Sequence, residues 1–95
     1  MMGIDYKTKY QACNLSDALH RNINDNFNSV SFRIENDEIL IKIILNKRTK
    51  VEDEYIEDIT AEFEALQEGN ILSDVIVTTI DQDNNLLDII VYQEA

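Results

Sequence analysis

The sequence predicts one α+β domain with the element order α-β-β-α-β-β, a four-stranded, mainly antiparallel sheet and two helices. Three observations carry this. The runs Ser29–Glu35 and Ile39–Asn46 alternate apolar and polar residues around a short turn. The stretch Val51–Glu68 repeats its apolar residues at helical spacing. Two further runs, Ile71–Ile80 and Leu86–Tyr92, are rich in β-branched residues. A length of 95 residues fits a single domain over 1–95 with one modest core.

The first helix is expected within Asp5–Arg21. Tyr6, Tyr10 and Cys13 share one helical face, while Leu15, Leu19 and Ile23 share a roughly opposite one. A straight helix cannot turn both to one core. A kink or restart is therefore expected near Asn14–Ser16, with Asn14 or Ser16 capping the new turn. Asn22–Asn28 holds four asparagines and one aspartate. Such side chains compete with the backbone for hydrogen bonds, so the run reads as a connection pinned to the core by Phe27.

Within Ser29–Glu35, Val30, Phe32 and Ile34 face one way, and Ser31, Arg33 and Glu35 the other. Asn36-Asp37 fits a two-residue hairpin turn. That turn sets Glu35 opposite Glu38, Ile34 opposite Ile39, Phe32 opposite Ile41 and Val30 opposite Ile43. Inward residues meet inward residues, so turn chemistry and pattern agree. Leu40, Lys42 and Ile44 fall on the second face, and Asn46–Lys50 forms a basic loop.

In the second helix Val51, Tyr55, Ile56, Ile59, Phe63 and Leu66 make one stripe. Thr49 and Glu52 have the spacing of a capping box, and Gly69-Asn70 offer a left-handed closure. The remaining surface carries Glu52, Asp53, Glu54, Glu57, Asp58, Glu62, Glu64 and Glu68, with no Lys or Arg in the stretch. Like charges stand at i, i+4 in Asp53/Glu57, Glu54/Asp58, Asp58/Glu62 and Glu64/Glu68. Together they cost roughly 1–2 kcal/mol. Against a domain stability of about 5–15 kcal/mol this is tolerable, but folding gives no reason for it. The face serves solubility, or docks a cationic partner, or holds divalent ions.

Asp81–Asn85 is expected to join the last two strands as a hairpin loop. Both strands are apolar on both faces, with Val75 and Val77 against Ile76 and Ile80, and Ile89 and Val91 against Ile90. That predicts central strands, or a second face covered by the first helix or another chain. Should the second and third strands pair across the second helix, they would run parallel.

Eight basic residues against 19 acidic ones give a net charge of −11. The sign disfavours direct binding to nucleic acid or to an anionic membrane, and favours basic proteins with salt-sensitive association. A hydrophobic content of 44% supports a folded chain. Cys13 is the only cysteine, which fits a reducing cytoplasm. The first residues lack a signal-peptide core, and no run reaches the length of a membrane span.

Catalytic and metal chemistry find little to work with. His20 is the only histidine and Cys13 the only thiol, too few for a zinc site or for a nucleophile with its base and orienting group. Asp81–Asn85 begins like a calcium loop, but Leu86 stands at the glycine position and Tyr92 at the bidentate-glutamate position. Only two Gly are present, which removes any Gly-rich phosphate loop. No catalytic residue, metal site or cofactor is expected, and the chain reads as non-enzymatic.

The hairpin SVSFRIENDEILIKIILN and the helix VEDEYIEDITAEF that follows resemble the small acidic immunity proteins of bacterial toxin systems, including contact-dependent inhibition and other polymorphic toxins. The resemblance covers roughly Ser29–Glu68. It implies a protein that neutralises a cognate toxin, often a basic nuclease, by covering an essential surface. Immunity contacts differ from pair to pair, so the resemblance assigns no residue. The charges alone place the partner contacts at Asp53, Glu54, Glu57, Asp58, Glu64 and Glu68, with Asp81 and Asp83 as a second candidate group. Two other readings stay open. One is an oligomer, such as a homodimer, assembled through Leu40, Ile44, Ile76 and Ile90 on the second sheet face. The other is an acidic mimic of nucleic acid that inhibits a DNA-binding enzyme.

Overall fold

The chain follows the expected element order: α1 Tyr6–Leu19, β1 Phe27–Glu35, β2 Glu38–Leu45, α2 Lys50–Ala65, β3 Leu72–Thr79 and β4 Ile89–Gln93. The computed structural model describes residues 6–68 and 72–94.

α1 is one uninterrupted helix, so the restart expected at Asn14–Ser16 does not occur. The conflict between its two faces is resolved by leaving one outside. Tyr6 and Cys13 are exposed. The buried stripe is instead Gln11, Asn14, Leu15, Ala18 and Leu19, in which two amides join the apolar residues at helical spacing. Buried Asn22 donates from Nδ2 to the Ala18 carbonyl at 2.9 Å and satisfies one of the free acceptors at the helix end.

The hairpin has the register that the pattern requires. Glu35 opposes Glu38, Ile34 opposes Ile39, Phe32 opposes Ile41 and Val30 opposes Ile43. Asn36 and Asp37 lie at φ 52° and 64°, the left-handed pair of a turn whose twist matches that of the strands. A β-branched residue resists that region. Asn36→Val is therefore expected to lower stability by about 1–2 kcal/mol, read as a lower urea midpoint at unchanged m-value.

The sheet order is β3-β2-β1-β4. β1 pairs antiparallel with both β2 and β4, while β2 and β3 are parallel. Two expectations are corrected here. The sheet is mixed rather than mainly antiparallel. β3 and β4 form no hairpin and are not central; they are the two edges. The reason is topological. α2 carries the chain from β2 to β3, and residues 80–88 carry it back past β2 and β1 to β4. Parallel crossovers share one hand, and two of the same hand that step in opposite directions must use opposite faces. The return therefore runs over the face away from the helices.

That connection is fastened to the sheet. Lys42 Nζ donates to Asp83 Oδ2 at 2.7 Å, and the Leu87 N–H donates to Ser31 Oγ at 2.9 Å. Ser29, Ser31, Lys42 and Ile44 are buried on this face. The cover for the second face is thus the chain's own 80–88 segment, not α1. On the other face Leu15, Ala18 and Leu19 of α1 and Ile56, Ile59 and Phe63 of α2 pack with Val30, Phe32, Ile39, Ile41 and Ile43 into one core. This is the dominant source of stability.

Candidate acidic docking surface

Thr49 caps α2, and both halves of the capping box form. The helix opens one residue earlier than the charge pattern suggests, so Lys50 belongs to it. Glu52 is not a surface acid: it is only 1% exposed. Its carboxylate accepts from the Thr49 N–H at 2.8 Å, from Thr49 Oγ1, and from Asn24 Nδ2 at 2.7 Å. The Thr49 hydrogen bonds, followed by that of Asn24, outweigh burial and pull its pKa from 4.5 to about 2.

The asparagine run is thereby explained. Asn24 Oδ1 accepts from the Asn26 N–H, Asn28 Nδ2 donates to Asn46 Oδ1, and Asn46 Nδ2 reaches the Asp25 carbonyl. These bonds tie the α1–β1 connection to the end of β2 and seat the N-terminus of α2. The far end of α2 is held by α1. Tyr10 donates its hydroxyl to the Leu66 carbonyl at 3.0 Å, and the amides of Gln11 and Gln67 bond reciprocally at 2.7 and 2.9 Å. The Gly69-Asn70 closure lies outside the described residues.

The buried side of α2 is Glu52, Ile56, Ile59 and Phe63. At ~100° per residue, Asp53, Glu54, Glu57, Asp58 and Glu64 fall on the opposite half of the cylinder, and all five are exposed. Val51 and Leu66, expected in the stripe, are exposed as well. The N-terminal end of the acidic face is partly neutralised. Arg48 Nε lies 2.9 Å from Asp53 Oδ1, and Lys50 stands four residues before Glu54. Glu68 is exposed but lies past the last helical residue, Ala65, so Glu64/Glu68 is not a helical pair. The exposed acids of the outer face that enter none of the ion pairs found among the described residues are Glu54, Glu57, Asp58 and Glu64.

Asp81 and Asp83 do not join it, because they lie on the connection across the other face of the sheet. Asp81 accepts from Thr79 Oγ1 at 2.6 Å. Asp83 is held below the usual carboxylate range, first by the Lys42 hydrogen bond and then by the Asn85 N–H. The Lys42 side chain is 7% exposed, so removing its partner leaves a buried, unpaired ammonium. Asp83→Ala is expected to lower the melting temperature by several degrees. Lys42→Met in the same chain is expected to restore it, which thermal melts of the single and double variants test.

The residues expected for oligomer contacts are separated too. Ile44 is buried and Leu40 half-buried, while Ile76 and Ile90 remain exposed. The four do not make one open apolar surface. Cys13 and His20 are both exposed. Among the described residues no group of three or more His, Cys, Asp or Glu is arranged to hold a metal ion, and no helix is long and apolar enough to cross a membrane. No protein-family model and no curated protein matches the chain.

Proposed function

We propose that this protein is a non-enzymatic immunity protein of the bacterial cytoplasm, which neutralises a basic, nuclease-type toxin by docking it on the outer face of α2. One observation carries the reading. Glu54, Glu57, Asp58 and Glu64 form an exposed anionic surface, and the ion pairs among the described residues leave it unneutralised. Those pairs are Lys7–Asp37, Arg33–Glu35, Lys42–Asp83 and Arg48–Asp53. Three of these four basic side chains are directed elsewhere, and the fourth, Arg48, pairs with Asp53 at the rim of the face, while the acids repel one another along the helix. A cationic partner relieves that repulsion. It is steered in by the net charge of −11, and its Arg and Lys side chains find carboxylates for charge-assisted hydrogen bonds.

The test uses the parent and Glu57→Lys/Asp58→Lys side by side. Each is immobilised, exposed to source-cell extract at low salt, and eluted with a salt gradient. The expected result is one basic protein held stoichiometrically by the parent and released early by the variant. Equal retention by both removes the helix from the interface. A nuclease assay on the captured protein, with and without added inhibitor, then identifies the toxin. Competition with DNA for that protein separates a nucleic-acid mimic from an inhibitor bound elsewhere.

A further inference from the structure

β3 is an edge strand of unusual openness. Among the described residues its strand neighbour is β2 alone. It has eight residues, Leu72–Thr79, and pairs with β2 without a register shift. Edges are normally blunted by Pro, Lys, a bulge or shortness. β3 contains no Pro, Lys or Arg. The other edge, β4, has five residues and a register shift against β1. Leu72 and Ile76 are 69% and 43% exposed, on the sheet face away from the helices. Between them on that face is Asp74, the only charged residue of the strand.

Asp74 also borders a recess of about 330 Å³ lined by Arg33, Glu35, Glu38 and Leu40 among others. Arg33 lies 3.4 Å from Glu35, and the recess carries three carboxylates, Glu35, Glu38 and Asp74, against that one cation. α1 packs against β4 and α2, and β3 is the edge strand at the end of the sheet opposite β4.

We propose that the β3 edge is a strand-docking site for an extended segment of the basic partner. The segment places a Lys or Arg opposite Asp74 and apolar residues opposite Leu72 and Ile76. Main-chain hydrogen bonds along the open edge supply the pairing, and the alternating side chains supply the selectivity. Charge decides the occupant. A second copy in the same register brings Asp74 against like charge and sets two chains of −11 together. This inference rests on the reading that the partner is basic, but it uses a surface other than α2.

The probe is the capped peptide Ile-Thr-Lys-Thr-Ile, titrated into labelled protein at low salt and followed by amide NMR. Shifts and slowed exchange are expected at alternate β3 amides. Ile76→Lys, a change at an exposed position, is expected to weaken binding about tenfold. N-methylation of the peptide along one edge, or Glu in place of its Lys, is expected to abolish it. Glu57→Lys/Asp58→Lys is expected to bind the peptide as the parent does. Absence of binding, binding indifferent to Ile76→Lys or to N-methylation, or shifts on α2 instead of β3 would overturn the proposal. Concentration-dependent dimerisation through β3 would overturn its choice of occupant. None of these results alters the outcome of the helix reversal on the captured protein, so the two readings fail separately.

Discussion

Glu57→Lys/Asp58→Lys is expected to strengthen the fold while it destroys docking. In the parent, Asp53/Glu57 and Glu54/Asp58 are repulsive pairs on the exposed side of α2. In the variant each becomes an acid four residues before a lysine, the favourable orientation. The change is expected to add about 0.5–1 kcal/mol to stability. Docking moves the other way. Two sites for charge-assisted hydrogen bonds are lost and two repulsive charges face the cationic partner, so affinity is expected to fall about 100- to 1000-fold. Urea unfolding and titration with the captured protein read the two effects separately. The opposite signs are the diagnostic feature, because a variant that merely misfolds loses stability and binding together. Equal affinity of variant and parent would remove the acidic helix from the interface.

Glu52→Ala is expected to be the most damaging acid replacement, although Glu52 is not part of the docking face. Its carboxylate takes hydrogen bonds from Thr49 and Asn24 in a buried site. Truncation leaves those donors without an acceptor and removes the Glu52 half of the capping box, at a cost of about 3 kcal/mol. The same site governs acid stability. Its pKa is lowered on folding from 4.5 to about 2, so the stabilisation is fully present above 4.5. It is lost as pH falls through the folded value, because protonation of the unfolded chain comes first. Integrated over that window the contribution is about 3 kcal/mol. Glu52→Gln is expected to be less stable than the parent at neutral pH and to show a flatter stability profile between pH 4.5 and 2. Parallel acid profiles for parent and Glu52→Gln would contradict the assignment.

What the sequence made legible is what neighbouring residues determine. The hairpin needs only alternation and the Asn36-Asp37 turn, and both act over a few residues. The start of α2 needs only Thr49 and Glu52. The exposed acids of α2 follow from helical spacing once the apolar stripe is set. The errors arise where the deciding partner is distant. Glu52 reads as one more surface acid because Asn24, which helps to bury it, lies 28 residues away. Asn14 reads as the cap of a restarted turn although it is buried within one helix, and Gln11 gives no local signal because the amide it bonds, Gln67, lies 56 residues away. β3 and β4 read as a hairpin because strand order is non-local. The signal that would have separated them is Lys42, a lone cation in a strand of isoleucines, which requires a carboxylate from somewhere and takes Asp83. That pair pins the return connection across the sheet and removes Asp83 from the docking surface.

The most direct measurement is carboxyl footprinting of the complex with the captured basic protein. Carbodiimide labelling of each Asp and Glu, free and bound, is read by mass spectrometry. The account predicts strong protection of Glu54, Glu57, Asp58 and Glu64, and unchanged labelling of Asp81 on the other face of the sheet. Unchanged labelling of the four helix acids in a stoichiometric complex would contradict it, and would leave α2 with a solvated face whose charge serves solubility alone.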